Sequence, residues 1–264
     1  DHYLKHQFEW DAEFIIDRKE YDNDKIDDLL IINKGCKFKK QIKYSNADFN
    51  HVLSKPDVTT DGSYSLSIDT LYISWLNHAD KRSTEFRICL SWQEPIDELT
   101  KILETVNGKS TFLNFPTKVN KINGEKVWPE NSEPISSWRR FKTASTKIDR
   151  NLFLEFCDSL LIEVLMPKLS LNLAIPGELE SVVIEQSKNL GIGIFPNNQL
   201  RPETFILSLL AIIKRSRSKG TSITISSIFH DLNIITDYGS LEQKFPVLES
   251  ENIQRKSAIE KFID

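Results

Sequence analysis

The chain has 264 residues, of which 39% are hydrophobic and 27% charged, with a formal net charge of -4. These are the proportions of an ordinary globular protein, long enough for one large domain or two small ones, and they exclude a disordered chain. They also exclude an overall basic field, so any nucleic-acid partner would have to be held by local basic patches.

The start of the chain, His2–Trp10, is mixed in character, and Ala12–Asp17 (AEFIID) predicts a strand leading into an acidic turn at Arg18–Asp24. Lys25–Ser45 (KIDDLLIINKGCKFKKQIKYS) then reads as a β-hairpin, with Leu29–Ile32 as one arm, Asn33-Lys34-Gly35-Cys36 as the turn and Phe38–Tyr44 as the return. A turn centred between Gly35 and Cys36 sets Asp28 opposite Lys43 and Leu30 opposite Gln41. Side chains alternate faces along a strand, and opposed residues share one. Asp28, Gln41 and Lys43 therefore project to one side, with Leu29, Ile31 and Ile42 on the other.

Asn46–Thr60 is polar and holds Pro56, predicting a loop or irregular helix. Gly62–His78 has the spacing of an amphipathic helix, Thr84–Trp92 alternates like a strand, and Pro95–Val106 returns to helical spacing before Asn107-Gly108. Ser110–Ile148 is irregular and interleaves basic and aromatic residues: Lys118, Lys121, Lys126, Trp128, Trp138, Arg139, Arg140, Phe141 and Lys142. Such a mixture can track a phosphate backbone and stack on bases; the plainer alternative is a surface insertion pinned to the core by its tryptophans. Asp149 is an N-cap candidate for a short helix to Cys157, and Leu160–Met166 predicts a strand.

Helices follow at Ile175–Leu190 and Arg201–Lys219, the latter with Pro202 at its start and Gly220 just past its end. Lys214, Arg215, Arg217 and Lys219 cluster in its last turns, where they complement the helix dipole or meet DNA. Ser222–Asp231 predicts a short helix after a turn, faintly like a helix-turn-helix, and Ser250–Asp264 a charged amphipathic connector. The expected organisation is α/β over 1–148, with the irregular insertion at 110–148, a mainly helical lobe over 149–249, and a connector at 250–264. The chain opens on Asp rather than Met, so it is expected to be a piece of a longer protein.

Cys36, Cys89 and Cys157 lie far apart and form neither a disulfide framework nor a CxxC pair, which makes the cytoplasm the expected compartment. The five histidines fall in no HExxH pattern, the longest apolar run, near Phe205–Ile213, is too short to span a bilayer, and no signal peptide opens the chain. No Gly-rich phosphate loop, GxSxG elbow or Cys/His nucleophile pair is present. What remains is the hairpin. Asp28 could bind Mg²⁺ (or Mn²⁺), with the Gln41 side-chain carbonyl and the Ile42 backbone carbonyl as further oxygen ligands, and Lys43 could orient the attacking water and offset developing charge. Asp27 and Glu20 are spare carboxylates. The plainer alternative makes Asp28 and Lys43 a cross-strand surface ion pair.

The run Asp27-Asp28-Leu29-Leu30-Ile31-Ile32 followed by Gln41-Ile42-Lys43-Tyr44-Ser45 resembles the core motif of restriction-like PD-(D/E)XK nucleases. It is most similar to the double-strand DNA endonuclease effector domains of CBASS and STAND/Avs antiphage proteins. Arg150–Met166 and the run from Leu207 to Ile234 resemble later segments of that group, though only the hairpin is a specific motif. The resemblance implies a restriction-endonuclease-like mixed β-sheet core flanked by helices, with a mainly helical C-terminal lobe. It implies a Mg²⁺-dependent endonuclease acting on double-stranded DNA, with Asp28 as the metal-binding acid, Gln41 in the Glu/Gln position and Lys43 as catalytic lysine. It further implies a homo-oligomer, dimeric or tetrameric, driven by a sensor or ATPase module downstream, and no membrane partner. Gln in place of the commoner Glu leaves fewer charges to hold a metal, and the upstream acid of the family has no assigned residue here. A catalytically silent scaffold or oligomerisation module is the competing expectation, and a helix-turn-helix DNA binder centred on Ser222–Asn233 a third.

Overall fold

The structure is a computed structural model that describes residues 11–22, 24–44, 51–59, 66–111, 115–132, 149–168, 177–189, 192–194, 202–231 and 234–236. The chain divides into two compact units, one made of residues 1–168 and 213–225 and the other of 169–212 and 226–264. The connector expected at 250–264, and the stretch 138–142 with its basic and aromatic residues, lie outside the described residues.

The first unit is mixed α/β. Its elements begin with strands β1 (Glu13–Ile16), β2 (Leu29–Asn33) and β3 (Cys36–Lys43), then helices α1 (Lys55–Thr59) and α2 (Ile68–Asn77) and strand β4 (Thr84–Leu90). Strands β5 (Leu103–Thr105) and β6 (Lys118–Ile122), helices α3 (Gly124–Val127) and α4 (Arg150–Ser159), and strand β7 (Leu160–Val164) follow. Helix α6 (Pro202–Lys219) ends in this unit, and a two-residue strand, β9 (Ile223–Thr224), closes it. The eight strands run in the order β5-β6-β7-β4-β3-β2-β1-β9. Strands β1, β2 and β3 form an antiparallel meander, β3, β4 and β7 are mutually parallel, and β5 and β6 return antiparallel. In the second unit, α5 (Glu178–Asn189) and α7 (Ile225–Asp231) accompany a small antiparallel pair of β8 (Ile192–Ile194) and β10 (Ile234–Thr236). Among the described residues no helix is long and apolar enough to cross a membrane.

Parallel strands need a crossover long enough to reverse direction, and here α1 and α2 provide it between β3 and β4. Phe86, Ile88 and Leu90 of β4 share one face, as their alternation predicts, and pack with Leu160, Ile162 and Val164 of β7. Tyr72 and Trp75 of α2 and Phe153 and Phe156 of α4 join them, and the Tyr72 and Phe156 rings meet edge to face at 5.3 Å. Asp149 caps α4 as expected, its side chain accepting from the Asn151 amide.

Two predicted elements need correction. Pro95–Val106 is not a helix: Asp97 caps a single 3₁₀ turn at Glu98–Lys101, and Leu103–Thr105 becomes β5, an edge strand on β6. Leu99 and Ile102 are buried and Ile96 is exposed, so the helical-looking spacing is that of one tight turn and its exit. Ser222–Asp231 is not a single helix either. Ile223 and Thr224 pair with Phe14 and Glu13 of β1 before α7 begins, so a strand stands between α6 and α7 where a helix-turn-helix would have a turn.

Candidate functional site

The hairpin turns through two residues, Lys34 and Gly35, with φ of 49° and 78°. Both lie in the left-handed region, which glycine occupies freely and which matches the twist of the flanking strands. The expected centre between Gly35 and Cys36 is therefore one residue too far along, and the register slips by two: Leu29 faces Lys40 and Leu30 faces Lys39. Extended to the hairpin's open end, this places Asp28 opposite Gln41 rather than opposite Lys43. A slip of two keeps every side chain on its expected face; a slip of one would have reversed them all.

Asp28 and Gln41 meet closely. The Gln41 Nε2 donates to Asp28 Oδ2 at 2.5 Å, and the Ile42 amide donates to the same oxygen at 2.6 Å. Gln41 Oε1 lies 3.4 Å from the Asp27 amide. Lys43 O accepts from the amide of Ser91, just past the end of β4, so its neighbour's backbone turns the other way. The Ile42 carbonyl accordingly lies on the Asp28 side of β3. Gln41 is buried, whereas Asp28, Ile42 and Lys43 are half-buried. No ion pair joins Lys43 to Asp28 or to any other carboxylate among the described residues, so the cross-strand pair expected of a purely structural arrangement does not form.

Burial raises the Asp28 carboxyl above its usual range, against the Ile42 amide that stabilises its charge; Asp27 and Asp17 add to the rise and Lys43 opposes it. Burial likewise raises Asp27, with Asp24 adding to it. The hairpin's open end thus carries several carboxylates, two of them raised chiefly by burial. Asp17 completes the row, its amide donating to the Asp28 carbonyl at 3.0 Å.

Two charged clusters that sequence reasoning missed flank this corner. On the face of Lys39, the buried ammonium reaches Asp24 Oδ2 at 2.7 Å and Glu20 Oε2 at 3.7 Å. His78 turns one ring nitrogen to Glu20 at 3.0 Å and the other to Asp24 at 3.3 Å. Ser74 Oγ accepts from the Lys25 amide, and the Tyr21 hydroxyl meets the Ser74 carbonyl at 2.6 Å. Glu20, a spare carboxylate on sequence grounds, is committed here. On the opposite face, Arg87 and Glu163 form a buried pair at 2.8 Å, and Glu163 also accepts from Thr111 and Thr117. Burial alone would raise Glu163, but the Arg87 charge and these hydroxyls outweigh it and hold the carboxyl below its usual range. Lys40 lies in the same layer, pushed down to about 8 by burial. The available signal was a charge set among apolar strand residues, Arg87 between Phe86 and Ile88 and Glu163 between Ile162 and Val164.

The described part of the irregular stretch is also committed. Lys118 pairs with Glu94, Lys121 with Asp158 and Lys126 with Glu104, while Trp128 packs in the core against Phe153. Among the described residues no three His, Cys, Asp or Glu gather closely enough to hold a metal by themselves. Neither the protein-family models nor the curated proteins compared with the chain give a match.

Proposed function

We propose that the Asp28–Gln41–Lys43 corner is the active site of a Mg²⁺-dependent endonuclease domain that hydrolyses double-stranded DNA. In this reading the domain is the effector of a larger antiphage defence protein and is switched on by oligomerisation. The observation that carries it is the meeting of Asp28, the Gln41 side chain and the Ile42 backbone at one sheet corner, with Lys43, which pairs with no carboxylate among the described residues, on the same face. A mixed sheet flanked by helices, the setting that the resemblance to PD-(D/E)XK nucleases implies, supports it further.

The donor set fits a hard cation. A carboxylate, a side-chain carbonyl and a backbone carbonyl are all oxygen ligands, and Mg²⁺ binds through one or two carboxylates while keeping several waters. Gln41 turns its nitrogen to Asp28 here, but amide oxygen and nitrogen exchange places by a half-turn of the terminal torsion. Two oxygen acceptors in that position need a cation between them, so loading the site would select the turned amide. A cation would also offset the burial that disfavours the Asp28 charge. Bound there, the metal would polarise a phosphate oxygen and lower the pKa of its water. Lys43 would orient the attacking water and offset charge growing on the phosphate, a role to which its ammonium is suited.

Supercoiled plasmid incubated with Mg²⁺ and protein in an oligomer-forming state tests this. Wild type should nick and linearise the plasmid, and Lys43→Ala should lower the rate about 10²-fold or more. Cleavage that survives the substitution, or none in any assembled state, overturns the assignment.

One observation favours a second reading. Asp28 Oδ2 is already satisfied by two hydrogen bonds, as it would be in a silent nuclease-like scaffold. That protein would assemble without cutting and would gain no stability from Mg²⁺.

A further inference from the structure

We propose that the exposed end of α6, centred on Arg217, is the surface that grips a DNA phosphate backbone beside the Asp28 corner. The proposal takes its ligand from the nuclease reading, but its evidence is independent. It concerns the basic cluster that the proposed chemistry leaves unused.

The end of α6 is fixed to the sheet at the right place. Gly220, at φ 63°, stops the helix; the Thr221 amide folds back onto the Ser216 carbonyl, and Ser216 Oγ bonds the Thr221 carbonyl. Ile223 and Thr224 then pair with Phe14 and Glu13. Extending that antiparallel register brings Gly220 level with Asp17 just past β1, and the Arg217 guanidinium does pair with Asp17. Asp17 is bonded in turn to the Asp28 carbonyl, and Asp28 to Gln41. The helix end, Asp17, Asp28 and Gln41 therefore form one row across adjacent strands.

Neighbouring strands lie about 4.8 Å apart, so the helix end stands about 10 Å from Asp28. A DNA strand advances about 3.4 Å along the helix axis per phosphate, so that separation, taken along the axis, spans about three phosphates. A backbone with one phosphate at Asp28 would thus pass the end of α6 within the same half-turn of duplex.

Helix-dipole complementarity does not account for the whole cluster. That effect fades beyond the last turn, and Lys214 lies five residues before the helix end. Nor does the Arg217–Asp17 pair explain it as a structural tie, because Arg217 is 65% exposed and exposed pairs contribute little stability. Lys214, Arg217 and Lys219 all stand in solvent. Asp17 holds Arg217 towards the row while leaving most of its donors open, and a phosphate can share the guanidinium or displace the carboxylate.

The test is fluorescence anisotropy with a labelled duplex in EDTA, where nothing is cut, alongside plasmid cleavage in Mg²⁺. Lys214→Gln/Arg217→Gln/Lys219→Gln should weaken duplex binding at least tenfold. The slope of log K against log salt should shrink by about 2–3 units, since each phosphate contact contributes about 0.9. Arg217→Gln alone should remove about one unit. An unchanged far-UV spectrum and thermal midpoint would show that these exposed substitutions leave the fold intact. A triple variant that binds with wild-type affinity and salt slope overturns the surface, as does a wild type that binds no duplex. The two readings separate cleanly. Loss of binding in the triple variant with no cleavage by wild type keeps the surface and removes the nuclease. Unchanged binding and cleavage in the triple variant do the reverse.

Discussion

Lys39 and Lys43 lie on the same strand and the same sheet face, about 13 Å apart, yet their surroundings differ in kind. Lys39 is sealed in: Asp24, Glu20 and His78 close around it, and Asp24 beneath it is wholly buried. Lys43 stands at the hairpin's open end with no carboxylate within ion-pair reach among the described residues, beside an Asp28 whose charge is disfavoured by burial. A closed cluster balances its charges and so fixes strands and loops in place. An open corner leaves its charges to be balanced by something that binds.

The contrast sets an order of expected effects. The largest should come from opening the closed clusters. Lys39→Met strands Asp24 in the interior, and Arg87→Met strands Glu163; a buried charge robbed of its partner costs about 3–5 kcal/mol. Urea unfolding would measure both, and a loss under 1 kcal/mol in each would erase the distinction.

Next comes acid. Burial alone would raise Asp24, but hydrogen bonds from His78, Lys39 and the Ile26 amide overcome it and hold the carboxyl well below its usual range. A folded-state pKa below the unfolded one gives stability that is complete above the unfolded value and fades as pH drops towards the folded one. Wild type should therefore lose stability steadily below about pH 4, and Asp24→Asn, weaker at neutral pH, should show a shallower acid slope. Parallel slopes would deny Asp24 this role.

Lys40 offers a smaller effect of opposite sign. Its ammonium is pushed down to about 8, so keeping it charged in the interior costs stability below that pH, and the cost is relieved as pH climbs from there towards the unfolded value near 10.4. Lys40→Met should equal or exceed wild type by up to about 2 kcal/mol at pH 7, with the gap closing by pH 10. A gap that widens with pH would contradict this. Smallest of all is Lys43→Ala, which should move stability by less than about 0.5 kcal/mol although it removes the proposed catalytic lysine.

The corner was largely legible in the sequence, and the closed clusters were not. Alternation along Leu29–Ile32 and Phe38–Lys43 is a local signal, so the shared face of Asp28, Gln41 and Lys43 survived even a misplaced turn. The exact partner of Asp28 depended on whether the turn centred on Lys34-Gly35 or on Gly35-Cys36, which Asn-Lys-Gly-Cys does not decide. Helices α2 and α4 and strands β4 and β7 followed from periodicity and, for α4, from the Asp149 cap. Leu103–Thr105 did not, because its strand character comes from β6, some fifteen residues on. The same holds for Arg87 and Glu163: each looks like an error in an apolar strand until pairing of β4 with β7 brings them together across 76 positions. In the basic-aromatic stretch the described residues take the surface-insertion alternative, since Trp128 serves the core and Lys118, Lys121 and Lys126 serve nearby carboxylates.

Everything functional turns on whether the hairpin corner takes a cation. Crystals soaked in Mn²⁺ and measured for anomalous scattering answer that without need of DNA, activation or turnover. The expected result is a peak bounded by an Asp28 carboxylate oxygen, the turned Gln41 amide oxygen and the Ile42 carbonyl at about 2.1–2.2 Å, close to the octahedral distances of Mg²⁺, and lost in Asp28→Asn. A fully occupied Gln41 nitrogen still bonded to Asp28 in saturating Mn²⁺, with no peak at the corner, would contradict the account.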